Sequence, residues 1–187
     1  MKWFCVITNA MCLLPAYVTY KKKLLGETVC TLSTGISSVL YHGTKLYNWP
    51  IHEVGIRNSD IMLSYLLVCH TAHCIVNFNR RWDYTISVLP IVIFGSDLDV
   101  LYKLTCVACY AVACLLYIAV TDKPRNSKMY ALGAVFAIND IVFFTLGNEY
   151  YYTILHGMHH ICVFAAQACF FHGIRVPTTN EIWPVTQ

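Results

Sequence analysis

The sequence has few charged residues, and this shortage excludes most classes of soluble protein. Only 12% of its 187 residues are Asp, Glu, Lys or Arg, whereas 57% are hydrophobic and the mean hydropathy is +0.53. A soluble domain carries about 25% charged residues. The composition therefore predicts a polytopic membrane protein, and the net charge of +3 is interpreted as a topology signal, not as a sign of nucleic-acid binding.

Other familiar signatures are missing as well. The ten cysteines follow neither a zinc-ribbon spacing nor the framework of a secreted disulfide protein, and the chain has no internal repeat. The N-terminus superficially resembles a signal peptide, but no small-x-small cleavage site follows it. Lys21, Lys22 and Lys23 are instead typical of the end of a span at a membrane face. We therefore expect the first apolar segment to remain as a transmembrane helix.

Long apolar segments dominate what is present. A transmembrane helix needs about 20 mostly apolar residues, and seven segments approach that length. The fourth is short and contains Pro90, so a re-entrant segment is an alternative to a full span. The sequence thus predicts an all-α protein with a bundle of seven transmembrane helices. The segments cover residues 3–20, 24–44, 59–78, 82–96, 99–120, 128–147 and 151–173.

The basic residues are divided unequally between the two ends of these segments. If all seven span, nine of the thirteen Lys and Arg residues share the side of the C-terminus. The positive-inside rule then predicts a cytosolic C-terminus, with a polar tail over residues 176–187, and a lumenal or extracellular N-terminus. Leaving segment 82–96 out of the membrane would blur the pattern. The nine residues are Lys21, Lys22, Lys23, Arg80, Arg81, Lys123, Arg125, Lys128 and Arg175.

Two histidines lie near the start of the last apolar segment. His156 and His160 are four residues apart, so on a helix they share one face, with about 5–6 Å between their Cβ atoms. Two imidazoles at that spacing can hold one metal ion, and an ionisable residue inside a span is a candidate functional residue. The alternative is that a helix end near the lipid headgroups simply tolerates histidine.

The predicted topology brings further polar residues to the same leaflet. Ser38 and His42 lie near the end of the second segment, and Asp60 lies at the start of the third. We expect His42, His156 and His160 to bind Zn²⁺, because three protein ligands leave the open fourth position of a catalytic zinc site. Zinc would activate a water molecule, Asp60 would act as base or orienter, and Ser38 would donate to a developing oxyanion.

Alternatives remain for the residues beside the ligands. Ser38 is alternatively an ordinary serine that bonds back to its own helix, and Ser37 competes with it for the donor role. Asp60 is alternatively a helix cap or a first-turn acid. Asp140 lies in the middle of the sixth segment, where a lone carboxylate is costly, so it either bonds to another helix or stays protonated. Contact between Asp140 and the catalytic pocket is a further alternative.

These motifs resemble the CREST superfamily of membrane hydrolases. The shared pattern is S-x-x-x-H late in the second segment, Asp at the head of the third, and H-x-x-x-H in the last. The superfamily includes alkaline ceramidases, progestin and adipoQ receptors and Per-one-like proteins. The layout is most similar to the myomaker-like family, and the resemblance covers residues 1–175. Its further features are Leu14-Pro15, the basic cluster before the second segment, and Glu149-Tyr150-Tyr151-Tyr152.

The resemblance implies a zinc-dependent hydrolase that cleaves an amide or ester bond of a membrane lipid or lipid anchor, in a secretory-pathway membrane or the plasma membrane. It also implies an alternative: a non-enzymatic, myomaker-like protein of membrane remodelling or fusion, or a receptor-like protein, with a structural zinc. The chain departs from the ceramidases in lacking their acidic, Asn-rich N-terminal motif. It carries His159 where relatives often have a large aromatic, so His159 could compete as a ligand or line the pocket.

Overall fold

Helices form all the regular structure in the computed structural model, which describes residues 3–50, 52–76, 92–94, 100–120, 126–146 and 151–174. These ranges contain no strand, so the predicted all-helical class is confirmed. Of the predicted fourth segment, 82–96, only positions 92–94 are described, and the tail 176–187 lies outside the described residues. The helices are α1 (Trp3–Thr8), a 3-10 turn (Asn9–Cys12), α2 (Leu13–Lys21), α3 (Leu25–Tyr47), α4 (Glu53–Val76), α5 (Val100–Val120), α6 (Ser127–Leu146) and α7 (Tyr152–Gly173).

Several of these helices have the length and composition of membrane spans. Three described stretches qualify on both counts: Trp3–Lys21 with 19 residues, Ser127–Leu146 with 20 and Tyr152–Gly173 with 22. A bilayer core about 30 Å thick requires about 20 residues of helix. The chain is therefore a membrane protein by the character of its helices.

The ends of α3 and α4 differ from the predicted bounds. Asn48 follows α3 in the left-handed conformation, with φ of 53°, which is a common way to end a helix. At the next helix, the His52 ring nitrogen Nδ1 accepts the backbone N–H of Gly55 at 3.1 Å. This local cap accompanies a start at Glu53, six residues before the predicted start at residue 59.

The backbones of α3 and α7 do not approach each other closely, and side chains connect the two helices. α7 packs against α1, α2, α4 and α6, and α3 packs against α1, α2 and α4. No Cα atom of α3, however, lies within 8 Å of one in α7. Near the middle of α7, Gln167 donates to Thr31 of α3 and Thr71 of α4, both at 3.2 Å. Polar side chains therefore bridge a gap that the two backbones do not close.

A close contact fixes the N-terminal helix against α7. A Cβ atom placed on Gly157 would lie 2.4 Å from Cδ1 of the Phe4 ring. Nearby, the Cys5 thiol donates to the Thr153 carbonyl oxygen at 2.9 Å. Because glycine has no side chain, α1 can approach α7 beside the two histidines of that helix, which is a common use of small residues between membrane helices.

Candidate metal centre

The three predicted ligand histidines meet at one point. His42 of α3 has its Nε2 atom 3.2 Å from Nε2 of His156 and 3.1 Å from Nε2 of His160. One ligand atom from each ring lies within 4.8 Å of the others. His42 is fully buried and His160 is 6% exposed. Among the described residues, this is the group of His, Cys, Asp and Glu side chains that could hold a metal ion.

The helical geometry explains how two helices supply three rings. His156 and His160 are one turn apart on α7, so both rings project from the same face. His42 reaches them from α3 across the gap described above. The ring centroids of His42 lie 4.8 Å from His156 and 5.1 Å from His160, in edge-on arrangements. Such edge-on packing turns ring nitrogens toward a shared centre.

The spacing of the nitrogens fits a metal ion better than it fits hydrogen bonding. Nε2 of His42 faces two other Nε2 atoms, and one N–H can donate to only one of them, so the second contact would be unfavourable. Zinc–nitrogen bonds of 2.0–2.1 Å in a tetrahedral site place neighbouring nitrogens about 3.3 Å apart. Two of the three nitrogen pairs, at 3.1 and 3.2 Å, agree with that spacing, and all three ligand atoms lie within 4.8 Å of one another. Imidazoles also suit copper, iron and nickel, so the three rings could hold a metal ion, and the donor set does not select one metal.

Asp60 and Ser38 lie beside the histidines. The Ser38 hydroxyl interacts with the Asp60 carboxylate, although the two do not form a hydrogen bond of standard geometry. Ser38 Oγ and Asp60 Oδ1 are both buried without a hydrogen-bond partner in the described part of the chain. Ser37 Oγ is buried and unpaired too, but Ser38 is the serine that interacts with Asp60. Ser38 is one helical turn from His42, and Asp60 interacts electrostatically with His159, the neighbour of the last ligand histidine. Two polar groups with unused bonding capacity therefore lie in the surroundings of the three histidines.

The interpretation of Asp60 as a helix cap is wrong. Because α4 begins at Glu53, Asp60 is the eighth residue of the helix, about two turns from its start. All backbone N–H groups at that depth have partners within the helix, so a cap has nothing to bond there. The burial of this carboxylate therefore has to be explained by its surroundings, which include Ser38 and His159.

His159 and Asp140 form a pair next to the centre. The His159 Nδ1 atom contacts Oδ1 of Asp140 on α6, and both side chains are about one-fifth exposed. The ring of His159 lies 5.2 Å from those of His156 and His160. His159 is not part of the converging ligand group, and of the alternatives for Asp140 the structure agrees with a partner on another helix.

Tyr152 and Lys45 were missed by the sequence interpretation. The Tyr152 ring stacks on His156, with 4.8 Å between centroids and 14° between planes. Lys45 Nζ lies 4.2 Å from the centroid of the Tyr152 ring, a cation–π contact. Helical spacing could have indicated both, since Tyr152 is four residues from His156 and Lys45 is three from His42.

Comparison with known proteins places the chain in a family. A family model described as a protein of unknown function, DUF3522, matches residues 1–161. The chain belongs to the DUF3522 family. A search of curated proteins gave no match. The matched part of the chain ends one residue after the last histidine ligand. It therefore contains all five candidate site residues: Ser38, His42, Asp60, His156 and His160.

Proposed function

We propose that the protein is a zinc-dependent intramembrane hydrolase that cleaves an amide or ester bond of a membrane lipid or lipid anchor. One observation carries the proposal: three imidazoles converge on one point, and in their surroundings Asp60 Oδ1 and the Ser38 hydroxyl are buried without a hydrogen-bond partner in the described part of the chain. A purely structural metal site is closed by its ligands and needs neither group. A hydrolytic site needs a metal position, a base and an oxyanion donor.

The roles of the residues follow from their chemistry. His42, His156 and His160 would hold the zinc, which supplies Lewis acidity and lowers the pKa of a coordinated water toward 7. Asp60 orients the attacking water and accepts its proton, because its buried oxygen has no competing partner. The Ser38 hydroxyl donates to the oxygen of the scissile carbonyl as negative charge develops on it.

The same proposal includes the seven-span architecture with a cytosolic C-terminus. α3 and α4, with 23 and 24 residues, are long enough to span although their hydropathy is modest. The polar residues that lower the hydropathy of α3 face the protein interior: Glu27, Thr31, Thr34 and Ser38 are all at most 6% exposed. Together with the excess of basic residues on the C-terminal side, this supports helices that cross the bilayer and a substrate that arrives laterally.

The resemblance to the CREST superfamily supports the same chemistry, and within it the myomaker-like layout supports a competing proposal. In that second proposal the protein remodels or fuses membranes without catalysis. The specific observation in its favour is the stacking of Tyr152 on His156, because such packing would hold a ligand ring in place in a structural metal site too. Product analysis separates the two.

The experiment compares lipid products formed by the purified wild-type chain and by His156→Ala. A matched control is His172→Ala, because His172 lies in the last turn of the same helix and is exposed. We expect fatty acid release by the wild type and by the control but not by His156→Ala, with zinc content measured in parallel. Zinc-loaded wild-type protein that releases no product from any membrane lipid class would contradict the hydrolase and favour the non-enzymatic role.

A further inference from the structure

A second layer of side chains lies one helical turn from the metal centre. Lys45 follows His42 by three residues on α3, Arg57 precedes Asp60 by three on α4, and Tyr152 precedes His156 by four on α7. The end of α3, the start of α4 and the start of α7 lie at the same end of the site. Lys45, Arg57 and Tyr152 are therefore all shifted toward that end from His42, Asp60 and His156, by about 4.5–6 Å along their helices. We call Lys45, Arg57 and Tyr152 the outer layer.

The outer layer is positively charged and linked to the site by direct contact. Lys45 Nζ lies over the Tyr152 ring at 4.2 Å, and that ring stacks on the ligand His156. Arg57 of α4 also interacts electrostatically with the Tyr152 hydroxyl. Lys45 and Arg57 are both exposed. In the described part of the chain neither Lys45 nor Arg57 forms an ion pair. Glu53 is one turn from Arg57 on α4, but the two side chains are not paired.

Two cations from different helices that both interact with one phenol, and that form no ion pair in the described structure, can hold an anion with several acceptor oxygens. A phosphodiester offers such oxygens, and Arg and Lys are the side chains that bind phosphate groups in proteins. In a phospholipid, the phosphate lies a few bonds from the acyl ester. A phosphate at the outer layer therefore leaves the ester free to extend one turn deeper, toward His156 and Asp60.

We propose that Lys45, Arg57 and Tyr152 bind the headgroup phosphate of a phospholipid, so that the substrate is a phospholipid and not a neutral lipid. This inference rests on the proposed function, because hydrolysis at the metal centre requires the ester to extend from the outer layer toward His156 and Asp60. Tyr152 supplies a phenolic O–H that can donate to the same phosphate. Lys45 and Arg57 supply the charge that distinguishes a phosphorylated lipid from a diglyceride.

The test is a binding measurement that does not depend on turnover. Fluorescent, ether-linked phosphatidylglycerol and the corresponding ether-linked diglyceride cannot be hydrolysed at an acyl ester, and their affinities for the full chain are measured by fluorescence polarisation in neutral detergent. We expect tighter binding of the phospholipid. Lys45→Gln and Arg57→Gln should each weaken it about fivefold while leaving diglyceride binding unchanged, and Lys45→Arg should retain the wild-type affinity.

Lys21→Gln is the matched control, because Lys21 Nζ also lies over a tyrosine ring, that of Tyr17 at 5.5 Å, but at the opposite end of the helices. It should bind both lipids as the wild type does. Equal affinity of the wild type for both lipids, or equal losses in Lys21→Gln and Lys45→Gln, would overturn the proposal. Displacement of the lipid by millimolar inorganic phosphate would assign the outer layer to a soluble ion and overturn it as well.

The result separates this inference from the proposed function. Phospholipid preference in a protein that hydrolyses no lipid would leave the outer layer standing and contradict hydrolysis. Hydrolysis without any preference for the phosphate group would support the proposed hydrolase and contradict phosphate binding by the outer layer. Thermal unfolding of each variant shows that a lost affinity does not come from a lost fold.

Discussion

Replacing Asp60 with Asn should separate catalysis from folding. Asn has nearly the shape of Asp, but its amide cannot accept a proton as a carboxylate does. Asp60 Oδ1 has no hydrogen-bond partner among the described residues, so the substitution removes no such bond there. We therefore expect the free energy of unfolding to change by less than about 1 kcal/mol. Turnover should fall about 10²-fold or more, which corresponds to about 2.7 kcal/mol in activation free energy.

Ser38→Ala extends the same test to the oxyanion donor. Ser38 is 2% exposed and its hydroxyl is unpaired in the described structure, so alanine should leave the fold almost unchanged while turnover falls about 10²–10³-fold. Ser37→Ala is the matched control, because the Ser37 hydroxyl is also buried and unpaired but does not interact with Asp60. The assay is kcat/KM for lipid hydrolysis, with zinc content and thermal unfolding measured on each variant.

Four results would count against this reasoning. If Asp60→Asn and Ser38→Ala keep wild-type turnover, neither group takes part in the chemical step. If both lose turnover together with zinc or with the folded state, their effect is structural. Loss of activity in Ser37→Ala to the same degree would assign the donor role to the wrong serine. Full retention of a cellular function by Asp60→Asn and Ser38→Ala would favour the non-enzymatic role for that function.

Three further predictions concern the surroundings of the site. His159→Ala should keep the metal, because His159 contacts Asp140 and lies outside the converging ligand group; metal loss measured by elemental analysis would refute this. Gly157→Val should lower the unfolding free energy by about 1–3 kcal/mol by displacing Phe4, whereas Gly26→Ala, with open space around it, should not. Tags on the two chain ends should be accessible on opposite sides in selectively permeabilised cells, with the C-terminal tag cytosolic; both on one side would refute seven spans.

The site residues were predictable because helical spacing is a strong constraint. The separation of four between His156 and His160 places both rings on one face whatever the rest of the chain does. Alternation of long apolar segments with basic clusters then predicts which helix ends share a leaflet. Those two rules together bring His42 to the pair on α7, and the 3.1 and 3.2 Å contacts between ring nitrogens agree with that.

What could not be predicted depends on local caps and on tertiary packing. The start of α4 at Glu53 is accompanied by a histidine ring that accepts a backbone N–H, and histidine is not among the usual capping residues. The gap between α3 and α7 depends on how each packs against α2 and α4, which no spacing in the sequence encodes. Tyr152 and Lys45 share the face of the ligands, but aromatic and basic residues near helix ends are common in membrane proteins.

Zinc content of the His42→Ala variant tests the central claim most directly. No Cα atom of α3 approaches α7 within 8 Å, so the account requires the long side chain of His42 to complete a centre whose other ligands lie on α7. Elemental analysis of purified protein should find about one zinc per chain in the wild type and in the exposed control His172→Ala, and almost none in His42→Ala. Full zinc stoichiometry in His42→Ala would contradict a metal centre shared by the two helices.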